Sequence, residues 1–303
     1  MEKQQPLVSV PIIVYNSSKT IVETLESIYN QTYPNIELII SDDCSTDNTI
    51  YLCKEWINNR RDRFVNTEIL TVEKNTGTSA NVNRAEKRCM GEWIKNISGD
   101  DKLLPNCITD FIEYAQGHPE AKYIFGKMTF FDGDESIYDE LRCDYNFFKL
   151  PIEEQLHKLI YEGNCIQAPT SFYNREYINQ LKFRHDERIP LIEDYPKWIR
   201  LLQLGVRFYF VDKDVVAYRV GNGVSTQRVP SLRYYRSQVL CDLYYRYPIM
   251  LENNKEDGIN RIADDFCEQY KNRLEVNRLK HTKAYRIGKA ILKPYNLLKR
   301  LIK

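Results

Sequence analysis

The stretch Gly91-Glu92-Trp93-Ile94-Lys95-Asn96-Ile97-Ser98-Gly99-Asp100-Asp101 decides how this chain is read. It is a short, mostly apolar strand that stops at a Ser-Gly turn and then presents two adjacent carboxylates. A strand ending this way points both acids out of the carboxyl edge of a sheet, where open α/β folds bind ligands. Two like charges side by side are unfavourable unless a cation sits between them. A divalent metal carrying a phosphorylated substrate is the usual one. The plainer alternative is an exposed turn or a helix start, since Leu103-Leu104-Pro105 follows.

Upstream, the same arrangement recurs. Residues 7–14 form a near-continuous apolar run, as in a strand buried on both faces. Pro11 lacks a ladder donor, which predicts a bulge or an edge there. Thr20 with Glu23 reads as a capping box that opens an amphipathic helix to about residue 31. A second buried strand, 37–41, ends in Asp42-Asp43, and Asp47 or Asn48 caps a helix over about 49–59. A third strand at 68–72 leads through Glu73–Gly77 into a helix to about residue 90, and residues 92–97 are the fourth. This alternation requires a mostly parallel, Rossmann-like central sheet with helices on both faces. Its strands all empty into polar loops on one edge. Further on, the pattern predicts helices at 104–118, 152–161 and 194–204, strands at 122–130, 168–173, 207–211 and 215–220, and helices from about residue 230. The expected division is an α/β domain over 1–225 and a helical region over 226–303.

With 303 residues, 43% hydrophobic and 12% aromatic, the chain can bury a substantial core. Its 22 tyrosines suit polar-ligand clefts and membrane interfaces. The eight cysteines are scattered without a CxxC pair and read as reduced, mostly buried residues of a cytoplasmic protein. His118, His157, His185 and His281 form no ligand pattern, and a surface loop is expected for His185. No glycine-rich dinucleotide fingerprint or Walker A sequence occurs, so those readings lack support.

Four segments together resemble family 2 glycosyltransferases of the GT-A fold, bacterial enzymes that build capsules, O-antigens and exopolysaccharides. They are VSVPIIVYNSSKTIVETLESIYNQTYPNIELIISDDCSTDNT at 8–49, EKNTG at 73–77, GEWIKNISGDDKLLP at 91–105 and IEDYPKWIRLLQLG at 192–205. The resemblance implies a metal-dependent, inverting hexosyl- or hexosaminyltransferase. Its donor would be a nucleotide-sugar, UDP-linked, and its acceptor a hydroxyl of a saccharide or lipid-linked saccharide. It assigns Asp43 to the uracil or ribose, whose N–H and O–H donors a carboxylate accepts, and Tyr15 to stacking on the base. Asn75 and Gly77 begin the segment used near the nucleotide. Asp101 would ligate Mg2+ or Mn2+ on the diphosphate, with Asp100 supporting it or touching ribose. Asp194 matches the catalytic base, and Glu193 a hydrogen-bond partner or acceptor contact. Read without the resemblance, Asp42-Asp43 is turn chemistry. Glu193-Asp194 likewise complements a helix dipole, for a few tenths of a kcal/mol.

The chain departs from the family pattern in places. Pro11 stands two residues early, and Val14 replaces a small hydroxyl residue. Val82 fills the arginine slot before Asn83, leaving Lys74 or Arg84 to supply the positive charge. A histidine after the Tyr218-Arg219 strand is replaced by a glycine-rich segment, Gly221 to Ser225, which with Arg228 offers a lid or an ordinary loop. Two other functions fit the same layout: a nucleotidyltransferase, which would not need Asp194 as a base, and a non-catalytic binding protein on a GT-A fold.

The formal net charge is +1, yet residues 271–303 carry +10 against −9 for the remainder. Within 284–303, Ile287, Ile291, Tyr295, Leu298 and Ile302 fall at helical spacing beside basic residues. Such a segment favours an anionic membrane surface, with packing on the domain or an oligomer contact as the alternatives. No nucleic-acid motif accompanies the charge. No apolar run approaches the ~20 residues that span a bilayer. The expectation is therefore a cytoplasmic protein, peripheral at the inner face of the membrane where that segment meets lipid and not where it packs on the domain.

Overall fold

The computed structural model describes residues 5–132, 135–137, 144–220, 231–254 and 256–267. The expectations for 221–228 and 284–303 lie outside them. The elements, in order, are β1 (Val8–Val14), α1 (Ile21–Tyr29), β2 (Ile36–Asp42), α2 (Thr49–Asn58), β3 (Asn66–Leu70), α3 (Thr78–Glu86), β4 (Trp93–Ile94), β5 (Ile97–Ser98) and β6 (Lys102–Leu103). Then follow α4 (Cys107–Gly117), β7 (Tyr123–Asp132), β8 (Glu135–Ile137), α5 (Ile152–Tyr161), β9 (Phe172–Asn174) and α6 (Arg175–Gln180). The last are α7 (Asp194–Gln203), β10 (Tyr209–Arg219), α8 (Leu232–Cys241) and α9 (Tyr247–Asn253). By contact the chain divides into two compact units, Met1–Tyr245 and Arg246–Lys303.

An apolar strand with no solvent face belongs in the middle of a sheet, and β1 lies there. The strand order is β3-β2-β1-β4-β9-β7-β10-β6, with β5 also paired to β1 and β8 to β7. The strands β1 to β5 run parallel to their neighbours in that group. Beyond them β9 is antiparallel to both β4 and β7, and β7 and β10 are parallel. The ends of these parallel strands therefore open on one edge, as the alternation predicts.

Pro11 is neither in a bulge nor at an edge. It pairs in regular register with Ile39 of β2. On the other side, the Ser9 carbonyl accepts from Lys95 N at 2.9 Å and the Ile13 carbonyl from Gly99 N at 3.0 Å. By strand alternation, the missing N–H of Pro11 faces the gap between β4 and β5. The interruption sits in the neighbouring strand, and no ladder bond is lost. That gap also corrects the expected single strand at 92–97. Lys95 turns fully inward, and its amine donates to the carbonyls of Asn96 and Pro169. Burial pulls its pKa down. The two strands expected at 207–220 are one, β10, with register shifts around Asp214.

The Thr20–Glu23 capping box does not form. Thr20 donates its hydroxyl to the Gly99 carbonyl at 2.7 Å, and Glu23 pairs with Lys102 and Arg219. One turn on, Thr24 Oγ1 donates to the Asp101 carbonyl at 2.7 Å. Helix α1 thus stitches itself to the acidic turn at 99–101. A second set of contacts fixes α7. Tyr123, Phe125, Tyr173, Trp198 and Phe208 form a buried aromatic layer with paired centroids 5.0–5.8 Å apart. Such pairs add about 0.5–1.5 kcal/mol each beyond their burial. Tyrosines expected in clefts or at a membrane here build the core under α7. The seven described cysteines are free, and Cys53, Cys89, Cys107 and Cys241 are buried. Among the described residues no helix is long and apolar enough to cross a membrane.

Candidate active site

Asp43, 2% exposed, follows β2 and faces inward. Its carboxylate accepts from the Thr76 amide at 3.0 Å, the Gly77 amide at 2.7 Å and the Thr76 hydroxyl at 2.5 Å, and pairs with Arg84 at 3.3 Å. These donors use both oxygens, so the carboxylate fixes loop 75–77 and leaves the outer face to that loop. Asn75 adds a bond to the Asp43 carbonyl. Asp42 makes turn chemistry, accepting from Ser45 N at 3.0 Å. Arg84 also donates to Asn81 and Ser41, whereas Lys74 is exposed. Arg84 is therefore the charge beside this acid. Tyr15, at the carboxyl end of β1, is 49% exposed.

Gly77 carries this loop onto the rest of the site. Its φ is +97°, and a Cβ there would lie 2.6 Å from Pro190 Cβ and 2.7 Å from the Pro190 carbonyl oxygen. Two residues on, Ser79 donates its hydroxyl to the Ile189 carbonyl at 2.6 Å. The loop built on Asp43 and the loop leading to Glu193 are thus in contact. Gly77→Ala combines a left-handed backbone with a clash. It should lower stability by about 2–4 kcal/mol in urea melts, and an unchanged midpoint would show that the two loops are not locked.

The second acid pair sits where β5 ends. Asp101 is 1% exposed; its Oδ1 accepts from Arg219 N at 3.0 Å, and its Oδ2 is buried with no partner among the described residues. Arg219 also donates through Nε to the Asp100 carbonyl at 3.0 Å. Burial, and then the neighbouring Asp100 charge, raise the Asp101 pKa well above the carboxylate range. Burial raises that of Asp100 too. Two adjacent acids and an orphan oxygen suit a hard, oxygen-seeking cation. Among the described residues no cluster of three or more His, Cys, Asp or Glu surrounds a metal position. A cation here would therefore take its other ligands from substrate and water.

Glu193 and Asp194 lie at the start of α7, and Glu193, its N-cap, makes no side-chain cap. Asp194 Oδ2 accepts from Asn164 Nδ2 at 2.9 Å. The pair opens into a cleft also lined by Ile13, Thr78, Ser98 and Pro169. Burial and the Asp194 charge push Glu193 up to about 8. Burial raises Asp194 as well, opposed by the Tyr195 amide, Asn164 and His185. A helix dipole returns about 0.3–1 kcal/mol, while taking a charge from water costs several. Stability alone does not call for this pair, and perturbed acids in a cleft mark a functional site.

Other residues of the site escape the sequence. His185 is buried, not on a surface loop, and its Nδ1 meets the Glu193 carbonyl at 3.1 Å. Lys197 is also buried, on the apolar face of α7. Helix α8 packs alongside: Arg233 donates to Asn75 at 2.9 Å and Ser237 accepts from Leu191 N at 3.3 Å. Tyr234 has its pKa raised by burial and by Asp194 and Glu193. A charged residue beside Trp198, three positions after Asp194, is the one local signal that could have singled out Lys197.

A mostly parallel sheet with two acid pairs at its strand ends and a third at the start of α7, two of the three strongly perturbed, defines a ligand-binding α/β enzyme of Rossmann-like layout. Residues 9–182 match the family described as Glycosyl transferase family 2. The chain belongs to that family and is a glycosyltransferase. It is 25% identical over 287 residues to the glycosyltransferase GlyG of Streptococcus pneumoniae, covering 92% of this chain and 93% of that one. It is 28% identical over 221 residues to the Escherichia coli enzyme WfaP, a UDP-Glc:alpha-D-GlcNAc-diphosphoundecaprenol beta-1,3-glucosyltransferase, covering 72% and 78%. The S. aureus TarS fragment 1-349 in complex with UDP-GlcNAc superposes with a TM-score of 0.61 at 22% identity, over 78% of this chain. The match spans 66% of that fragment and 40% of a longer TarS chain. This likeness establishes the GT-A fold.

Proposed function

We propose that the protein is an inverting glycosyltransferase. It moves a hexosyl or hexosaminyl unit from a UDP-sugar to a hydroxyl of a saccharide or lipid-linked saccharide, in surface polysaccharide synthesis. The observation that carries this reading is the single cleft into which β1, β5, α3 and α7 open, with Asp194 in its wall. WfaP, a UDP-Glc-dependent glucosyltransferase, and TarS, solved with UDP-GlcNAc, support the donor class. The lipid-diphosphate acceptor of WfaP supports the acceptor class.

In this reading Asp194 takes the proton of the acceptor hydroxyl as its oxygen attacks the anomeric carbon. The bond to the diphosphate breaks on the opposite face, so the anomeric configuration inverts. Glu193, protonated at neutral pH, donates a hydrogen bond to the acceptor or its neighbour. Asp43, through Asn75 and Gly77, shapes the nucleotide side, where Tyr15 offers an exposed ring to the base. Asp101, with Asp100, would hold Mg2+ or Mn2+, which supplies charge neutralisation on the departing diphosphate. The basic segment 284–303 is proposed to meet anionic lipid at the inner membrane face, on its sequence pattern alone.

A thermal-shift panel of nucleotide-sugars with and without Mn2+ tests the donor. A ligand at a hundred times its Kd stabilises by about 2.7 kcal/mol. UDP-sugars should raise Tm with Mn2+, while GDP-, CDP- and dTDP-sugars should not. A shift with another nucleotide alone would reassign the donor, and none with any would sink the reading.

A further inference from the structure

One wall of the cleft, at Asn96, His185 and Lys197, is backed by a polar cluster with no part in the roles assigned above. Glu86, at the end of α3, accepts from the Tyr173 hydroxyl and from Asn96 Nδ2 at 2.9 Å. The same oxygen lies 3.4 Å from His185 Nε2 and 3.9 Å from Lys197 Nζ. Lys197 packs over the Tyr173 ring, 4.4 Å from its centroid. Burial alone would raise the Glu86 pKa, but Lys197 and His185 outweigh it and hold the carboxyl well below its usual range. The group is an anion at the edge of the core, its side chain 15% exposed, facing the buried His185 and Lys197. Such clusters stabilise no better than well-packed apolar residues of the same volume, so packing does not explain this one.

The cluster reaches the catalytic wall through one bond. A carbonyl only accepts, so His185 Nδ1, 3.1 Å from the Glu193 carbonyl, carries the proton and donates. Asn83 clamps the backbone of the same residue. Its Oδ1 accepts from His185 N and its Nδ2 donates to the His185 carbonyl, both at 2.9 Å. The imidazole is thereby held between Glu86 on one side and the backbone that starts α7 on the other. Asn164 fixes the Asp194 carboxylate directly.

We propose that His185, oriented by Glu86, is a positioning residue for the base: its Nδ1–H pins the Glu193 carbonyl and so sets the Asp194 carboxylate in the cleft. The proposal rests on the reading of Asp194 as the base. Four variants of the full chain test it: Asp194→Asn, His185→Phe, His185→Asn and Glu86→Gln. UDP affinity is measured by calorimetry, and kcat and acceptor KM by transfer. A misplacement near 1 Å can cost about 10²-fold. His185→Phe should therefore lose about 10- to 100-fold in kcat with UDP affinity unchanged. His185→Asn, whose Nδ2 keeps a donor for the carbonyl, should stay within about threefold of the native enzyme. Equal losses in the two His185 variants, a loss of UDP affinity in place of kcat, or native turnover in His185→Phe would each overturn the proposal. Should His185→Phe fail to fold, Glu86→Gln carries the test. Lower kcat at unchanged UDP affinity supports positioning, and unchanged kcat refutes it. Native turnover in Asp194→Asn would remove the base itself, whichever way the His185 variants behave.

Discussion

Asp194→Asn should abolish sugar transfer, lowering kcat by about 10²–10⁴-fold, the usual contribution of a general base. UDP affinity should not change. Asparagine keeps the shape of the side chain and an oxygen for Asn164 but cannot take a proton. The two remaining roles for an acid at this position predict otherwise. If it only complemented the helix dipole, the variant would lose a few tenths of a kcal/mol of stability and no turnover. If it only contacted the nucleotide, affinity would fall with the rate. The pH dependence adds a second check. A general base works as its anion, and burial raises the Asp194 pKa above the ordinary aspartate value of about 3.9. Activity should therefore rise with pH through a value above that, not at it. Glu193, pushed to about 8, keeps its proton across that limb, so the acid pair carries one negative charge and not two. Native kcat in Asp194→Asn would leave a nucleotide-binding protein on this fold without its chemistry, the non-catalytic alternative.

Legibility in the sequence followed locality. The central sheet was readable because β1 and β2 are apolar at successive positions and such strands have one place to go. The helix expected at 152–161 is α5 to the residue, because its periodicity is complete within ten positions. The acid pairs were visible because a strand, a turn and two carboxylates are adjacent in the chain. The misses lie where a side chain's partner is distant. Thr20 prefers the Gly99 carbonyl, 79 residues away, to its own helix, so the local capping rule lost to a tertiary bond. Lys95 breaks the fourth strand by reaching the Pro169 carbonyl, 74 residues on. Glu86 and His185, 99 apart, look like an exposed helix end and a polar loop until α3 and the 185–194 segment meet. The placement of β9 between β4 and β7 has the same origin, since antiparallel insertion into a parallel sheet leaves no local mark.

Asp101→Asn should strip Mn2+ dependence from UDP binding. In the native protein, Mn2+ should tighten UDP by at least about tenfold, or 1.4 kcal/mol. In the variant, affinity with Mn2+ should fall to the metal-free value, which itself should match that of the native protein. The reason is the state of the carboxylate. Its Oδ1 is committed to Arg219 N, and its Oδ2 is buried with nothing among the described residues to satisfy it. An unsatisfied buried charged oxygen costs more than the 1–3 kcal/mol of a neutral group, and Asp100 adds repulsion. The ionised acid is therefore unfavourable to the metal-free fold, as the upward direction of its pKa states. Removing that charge while keeping an acceptor for Arg219 N should leave the metal-free protein melting no lower than the native one. Affinity and stability then move apart in one variant, which a purely structural acid cannot produce. A structural Asp101 would lower Tm on substitution and leave the Mn2+ increment in UDP affinity untouched, and that pair of results would rule out the ligand role.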